Sequence, residues 1–263
     1  MDTYLLWNDK APGADTEVPM LEAYIPQDKK SRAAFLILPG GAYAGRARHE
    51  GEGYAAFLNA FGISAFVVGY RVAPARFPDP LLDARRAVRY LRANAEKFDI
   101  DPDKIAVIGS SAGGHLAAFL STYREAIVGE GIDEIDAYDY LPNLQVLCYP
   151  VISSDEAVAH AYSYKMLLGD RYDDRAEYSP ELLVVADTPP AFIWHTAADQ
   201  AVNVENSYRY ATALRTAGVP CEMHIFPYGV HGLGVSPADP HVAQWVGLLK
   251  NYLVLYGYLS SEA

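Results

Sequence analysis

Ile105 to Leu120 reads IAVIGSSAGGHLAAFL, and the fold turns on this stretch. Four apolar residues, three of them β-branched, give way at once to a Gly-Ser-Ser-Ala-Gly turn and then to a small-residue apolar run. The first part predicts a strand buried on both faces and the last part a helix. A strand that feeds a helix through so short a turn strains the residue at its tip and brings strand and helix backbones together. Only very small side chains fit two positions either side of that tip. Gly109 and Gly113 satisfy this around Ser111, whereas a tip at Ser110 would put Ile108 in the crowded position. Ser111 is therefore the candidate nucleophile, and the Ala112 N–H, at a helix start, is a candidate donor to developing negative charge. The alternative, a packing turn of small residues, would leave the serine without a role.

Outward from this turn the same alternation recurs. Ala33–Leu38, Ile63–Tyr70, Gln145–Tyr149, Ala191–Thr196 and Cys221–Phe226 are short apolar runs bounded by Gly, Pro or Asp, and Tyr4–Trp7 and Leu21–Ile25 would add two edge strands. Between them, Leu81, Ala84, Val88, Leu91, Ala95 and Phe98 recur at helical spacing, as do residues of 203–217 and of 242–256. Alternating strands and helices predict an α/β fold: a mostly parallel eight-stranded sheet with helices on both faces, built as one domain over residues 1–263. Two connections break the rhythm. Gly129–Asn143 is acidic and tyrosine-rich, and Ser153–Pro190 is long with a small apolar kernel at Tyr164–Leu168. Each is a candidate excursion over a site, or a solvated loop.

The remaining chemistry lies at strand ends. Pro39-Gly40-Gly41-Ala42-Tyr43 follows a predicted strand, and backbone N–H groups on such a turn suit an oxyanion that forms during acyl transfer. The Gly41 or Ala42 N–H, with that of Ala112, are the candidates; Gly40, Tyr43 and Ser110 are expected to line the substrate pocket. Of seven histidines, His231 sits among glycines in the loop after the last strand and is the candidate base. His195 and His224 read as strand residues, His115 as a packing or hydrogen-bonding residue one turn into the helix, and His49, His160 and His241 as exposed. Asp199 ends the run AFIWHTAAD and is expected to orient His231; Asp187 and Asp170 are its rivals. The order Ser111, Asp199, His231 is that of a nucleophile, acid and base distributed along an α/β sheet.

Composition narrows the partners. Hydrophobic residues make up 51% of 263, enough to bury a large core. Lys+Arg of 21 against Asp+Glu of 33 gives a charge of -12, which disfavours nucleic acid and anionic membranes and leaves a neutral or cationic small substrate open. The two cysteines, Cys148 and Cys221, lie in no metal-binding spacing and read as buried free thiols. With no basic start followed by an apolar run, and no stretch of about 20 apolar residues, the expected location is the cytosol. No metal or cofactor is expected, and a homo-oligomer is left open.

The segments PGGAY, YRVAPARFPDPLLDARRAVRYLR (Tyr70–Arg92), GSSAGGHLA, the Asp199 loop and VHGLG together resemble α/β-hydrolase-fold esterases of the hormone-sensitive-lipase and acetylxylan-esterase-like group. LLWNDKAPGA near the start resembles the acetylxylan-esterase-like members. Pro39 stands where lipase-like relatives carry His, and Ala42 where they carry a third Gly. The resemblance implies a serine esterase acting on short acyl esters, with acetylated sugars as the suggested substrate, and no large cap domain. Arg71 and Asp83 read as structural. A peptidase or amidase on the same scaffold, and a ligand-binding homologue without catalysis, are the alternatives.

Overall fold

In the computed structural model, which describes residues 2–7, 10–13 and 18–261, the apolar runs form one eight-stranded sheet. Its strands are β1 (Asp2–Leu5), β2 (Met20–Tyr24), β3 (Ala34–Leu38), β4 (Ser64–Val68), β5 (Ile105–Ser110), β6 (Leu144–Cys148), β7 (Ala191–Thr196) and β8 (Cys221–Phe226). The order is β1-β2-β4-β3-β5-β6-β7-β8; β1, β2 and β4 pair antiparallel, and β4 onward through β3, β5, β6, β7 and β8 is parallel. The mostly parallel sheet is thus as expected. The first edge strand starts and ends earlier than the expected Tyr4–Trp7, because Leu6 and Trp7 bend out of the strand and bury themselves in the core. Asn8, Asp9 and Ala14 of the opening LLWNDKAPGA lie outside the described residues.

Strand alternation supplies two cores. Ala34, Leu36 and Leu38 of β3 point to one face, where α2 (Asp79–Ala93), α4 (Ser111–Thr122), α5 (Ala161–Leu168) and α6 (Glu205–Thr216) pack. Phe35 and Ile37 point to the other, against α1 (Arg48–Ala60) and α7 (Gln244–Leu255). The predicted helix through Phe98 breaks at Asn94, where a short α3 (Ala95–Phe98) begins. Helix α1 has no counterpart among the predicted ones: its buried face is Glu50, Gly51, Tyr54, Ala55 and Leu58, too polar and too glycine-rich for an apolar stripe. Cys148 is buried but Cys221 only half so, since it begins edge strand β8; both thiols are free.

After β3 the chain goes to one side of the sheet for β4 and then returns to the other for β5. Ligand crevices in open α/β sheets form at such a reversal, outside the carboxyl ends of the strands. The turns after β3, β5, β7 and β8 carry the candidate residues.

Candidate active site

The turn after β5 is as crowded as its sequence predicts. A Cβ on Gly109 would stand 2.2 Å from the Gly113 carbonyl oxygen, and one on Gly113 would stand 2.0 Å from that of Leu38 at the end of β3. Ser111 takes φ of +53°, the left-handed region that L residues avoid, and its carbonyl accepts the Val151 N–H at 3.0 Å. Helix α4 starts at this residue, so the Ala112 N–H belongs to the first turn, which has no acceptors within the helix.

Three side chains from distant parts of the chain meet here. His231 Nε2 lies 2.8 Å from Ser111 Oγ, and His231 Nδ1 lies 2.7 Å from Asp199 Oδ2. Asp199 is fixed from its own loop: its Oδ1 accepts the N–H groups of Ala201 at 2.8 Å and Val202 at 3.0 Å. Burial acts to raise the Asp199 carboxyl, but hydrogen bonds from His195, His231 and Val202 outweigh it and hold the group well below the usual carboxylate range. The rivals are elsewhere: Asp187 is exposed beside Arg124 at 3.6 Å, and Asp170 is exposed just after α5.

His195 does more than fill a strand position. It is fully buried, and its Nε2 lies 3.2 Å from Asp199 Oδ2 and 3.1 Å from the Val202 carbonyl, while Nδ1 lies 2.8 Å from Ser207 Oγ. A carbonyl only accepts, so Nε2 carries the proton and donates toward the acid, and Nδ1 accepts from the serine. Only the spacing to Asp199 in the sequence hinted at this contact. His160, expected to be exposed, is half-buried; burial first, and then the charge His231 can carry, push its pKa down. Segment 153–190 therefore brings His160 within electrostatic range of His231 and Asp199. Segment 129–143 instead docks on α2, with Glu130 bonded to Arg85 and Arg89 and Asp133 to Arg86.

The loop after β3 holds Gly41 with φ +135° and Ala42 with φ +56°. Among the described residues the N–H groups of both lack a protein acceptor, whereas the Gly40 N–H is taken by Glu50 Oε2 at 2.7 Å. The three expected pocket residues are not on a pocket wall. Gly40 is buried under Glu50. Ser110 is fully buried, its Oγ 2.6 Å from the Tyr54 hydroxyl, because alternation along β5 turns it away from the Ser111 side. Tyr43 is 1% exposed and donates its hydroxyl proton to His115 Nδ1 at 2.7 Å. His115 Nε2 in turn donates to the Tyr178 carbonyl at 2.9 Å, and burial pushes the imidazole down to about 4. It is thus a neutral anchor for the loop after β3. Arg71 and Asp83 form a buried pair at 2.7 Å, in keeping with their structural reading.

Among the described residues no group of three or more His, Cys, Asp or Glu is arranged to hold a metal ion, and no helix is long and apolar enough to cross a membrane.

The profile of a family described as BD-FAE matches residues 21–214. The chain is 37% identical over 236 residues to an endo-1,4-beta-xylanase B of Butyrivibrio fibrisolvens, covering 88% of this chain and 37% of that protein. It is 34% identical over 247 residues to an acetylxylan esterase of Xylanibacter ruminicola, covering 91% and 49%. The chain thus spans less than half the length of each of these two relatives. The crystal structure of an acetyl ester-xyloside bifunctional hydrolase from Caldicellulosiruptor lactoaceticus superposes with a TM-score of 0.91 at 40% identity, over 98% of this chain and 97% of that one.

Proposed function

This chain belongs to the BD-FAE family, and from that membership and the geometry at Ser111 we propose that it is a serine esterase that removes short acyl groups, acetate above all, from acetylated xylo-oligosaccharides. One observation carries the chemistry: an unbroken line of hydrogen bonds, 2.8 Å and 2.7 Å, from Ser111 through His231 to Asp199. The substrate class rests on the names of the relatives, two of which are described by xylan and a third by acetyl ester and xyloside.

In this reading Ser111 Oγ attacks the ester carbonyl as His231 Nε2 takes its proton. Asp199 keeps the imidazole in the tautomer with its proton on Nδ1 and stabilises the imidazolium that forms. The carbonyl oxygen, now an oxyanion, is met by the Ala112 N–H and by the Gly41 and Ala42 N–H groups. His231 gives its proton to the leaving alcohol, leaving an acyl-serine. Water then repeats the sequence and releases the acid. No step calls for a metal or cofactor. The reading also takes the protein to be cytosolic, supported by two unpaired cysteines, and to have no nucleic-acid or membrane partner, supported by a charge of -12.

A release assay over aryl esters of rising chain length, acetylated xylo-oligosaccharides and a proline anilide tests this. Acetate release from the aryl acetate and the oligosaccharides, falling off with longer acyl chains and losing about 10⁴–10⁶ in kcat in Ser111→Ala, is the expected result. Preferential cleavage of the anilide would favour a peptidase. No turnover of any substrate would favour a ligand-binding homologue.

A further inference from the structure

Helix α1 delivers a carboxylate to the floor of this site. Glu50, the third residue of α1, is 2% exposed. Its two oxygens divide between two loops. Oε2 accepts the Gly40 N–H at 2.7 Å, next to the proposed Gly41 donor. Oε1 accepts the Tyr149 hydroxyl at 2.7 Å. That hydroxyl accepts the Gly234 N–H at 2.9 Å, three residues past His231, and the Tyr149 ring stands edge-on to the His231 ring with centroids 5.0 Å apart. The Tyr54 hydroxyl joins the cluster, 3.3 Å from Tyr149 Oη and 2.6 Å from Ser110 Oγ. His49, beside Glu50 at 4.0 Å, reaches the Gly232 carbonyl at 2.9 Å.

We infer that Glu50 is a positioning residue for the proposed hydrolysis, coupling the loop of oxyanion donors to the loop of the base through Tyr149. The inference rests on the esterase reading. The loop at Gly40 is held from two sides: a Cβ there would lie 2.7 Å from Glu50 Oε2 and 3.0 Å from Ser111 Cβ. Tyr149 is itself held in the left-handed region, φ +38°, with its N–H bonded to the Trp194 carbonyl at 2.7 Å. A buried carboxylate is a costly way to gain stability, since an apolar replacement for buried charge is often neutral or better. Here both of its oxygens serve the two loops on which the chemistry depends, and oxyanion donors lose their effect when displaced by even about 1 Å.

Replacement by glutamine keeps the shape but not the bonding. An amide oxygen can still accept from Gly40, but its NH₂ then faces a Tyr149 hydroxyl that has lost its acceptor. Glu50→Gln is therefore expected to lower kcat on an aryl acetate by about 10–100-fold with KM within about threefold, and to weaken inhibition by a trifluoromethyl ketone, which forms a tetrahedral adduct with serine, by the same factor as kcat/KM. Tyr149→Phe removes one arm only and should produce the same pattern, smaller; it also serves if Glu50→Gln does not fold. Unchanged kcat and unchanged ketone affinity with only a lower melting temperature, or a loss confined to KM, would overturn the inference. Failure of the esterase reading is seen separately, as a wild-type protein that neither releases acetate nor reacts with a fluorophosphonate.

Discussion

Asp199 and Asp83 are both carboxylates withdrawn from water, with side-chain exposures of 1% and 0%, and both are fully engaged in hydrogen bonds. Their surroundings end differently. Asp83 meets Arg71 through Nη2 at 2.7 Å, Nε at 3.0 Å and the backbone N–H at 2.7 Å, and Arg71 continues to Asp79 at 3.3 Å. Every charge there closes on another charge. Asp199 is held by two imidazoles and two backbone N–H groups, and its line of bonds runs outward through an imidazole that is 23% exposed to a serine hydroxyl at a strained turn. Burial pushes Asp83 up to about 6 despite Arg71, whereas Asp199 is held low. Buried charge by itself therefore does not mark a reactive site in this molecule. What sets the Asp199 system apart is a line of bonds that ends on the Ser111 hydroxyl, near loop N–H groups that have no protein acceptor among the described residues.

The sharpest way to break this contrast is to neutralise each carboxylate system in turn. Asp199→Asn should lower kcat by about 10⁴ while the protein stays folded, because the imidazole loses its tautomer and its counter-charge. Steady-state kinetics beside a melting curve check this, and a tenfold or smaller loss would mean that Asp199 is not the orienting acid. Arg71→Met should do the reverse. It strands a buried carboxylate, so urea unfolding should register a loss of about 3–5 kcal/mol, while kcat per folded molecule stays within about twofold.

A third perturbation sharpens the contrast through pH. His115, the neutral anchor of the loop after β3, is pushed down to about 4 in the folded state, against an ordinary value of 6.5. A histidine depressed on folding contributes stability that is present above 6.5 and is lost as pH falls toward 4, because the unfolded chain takes up the proton first. The full difference corresponds to about 3 kcal/mol. Thermal melts from pH 7 to pH 4 should decline through this window, and His115→Gln should flatten that part of the curve. An unaltered slope in the variant would assign the acid sensitivity elsewhere.

Much of this is legible in the sequence. The sheet follows from apolar runs bounded by turn residues, and Ser111 from glycines two positions either side, because crowding at that turn is a local property of the chain. What was not legible depends on partners distant in sequence. The arginines of α2, Arg85, Arg86 and Arg89, are buried because the acidic segment 129–143 supplies their counter-charges, which no local pattern in α2 announces. Helix α1 escapes because two of its five inward residues are a glycine and a carboxylate, and with it goes Glu50. Tyr43 and Ser110 sit beside the reacting loops in sequence, yet a one-residue alternation along a strand, or a histidine waiting in α4, turns them inward.

Covalent labelling tests the role of Ser111 most directly. The protein is incubated with a fluorophosphonate, weighed intact and mapped by peptide. The prediction is one adduct, on Ser111, with acetate release lost in proportion to its formation. An adduct on another residue, or full esterase turnover in protein whose Ser111 is blocked, would contradict it.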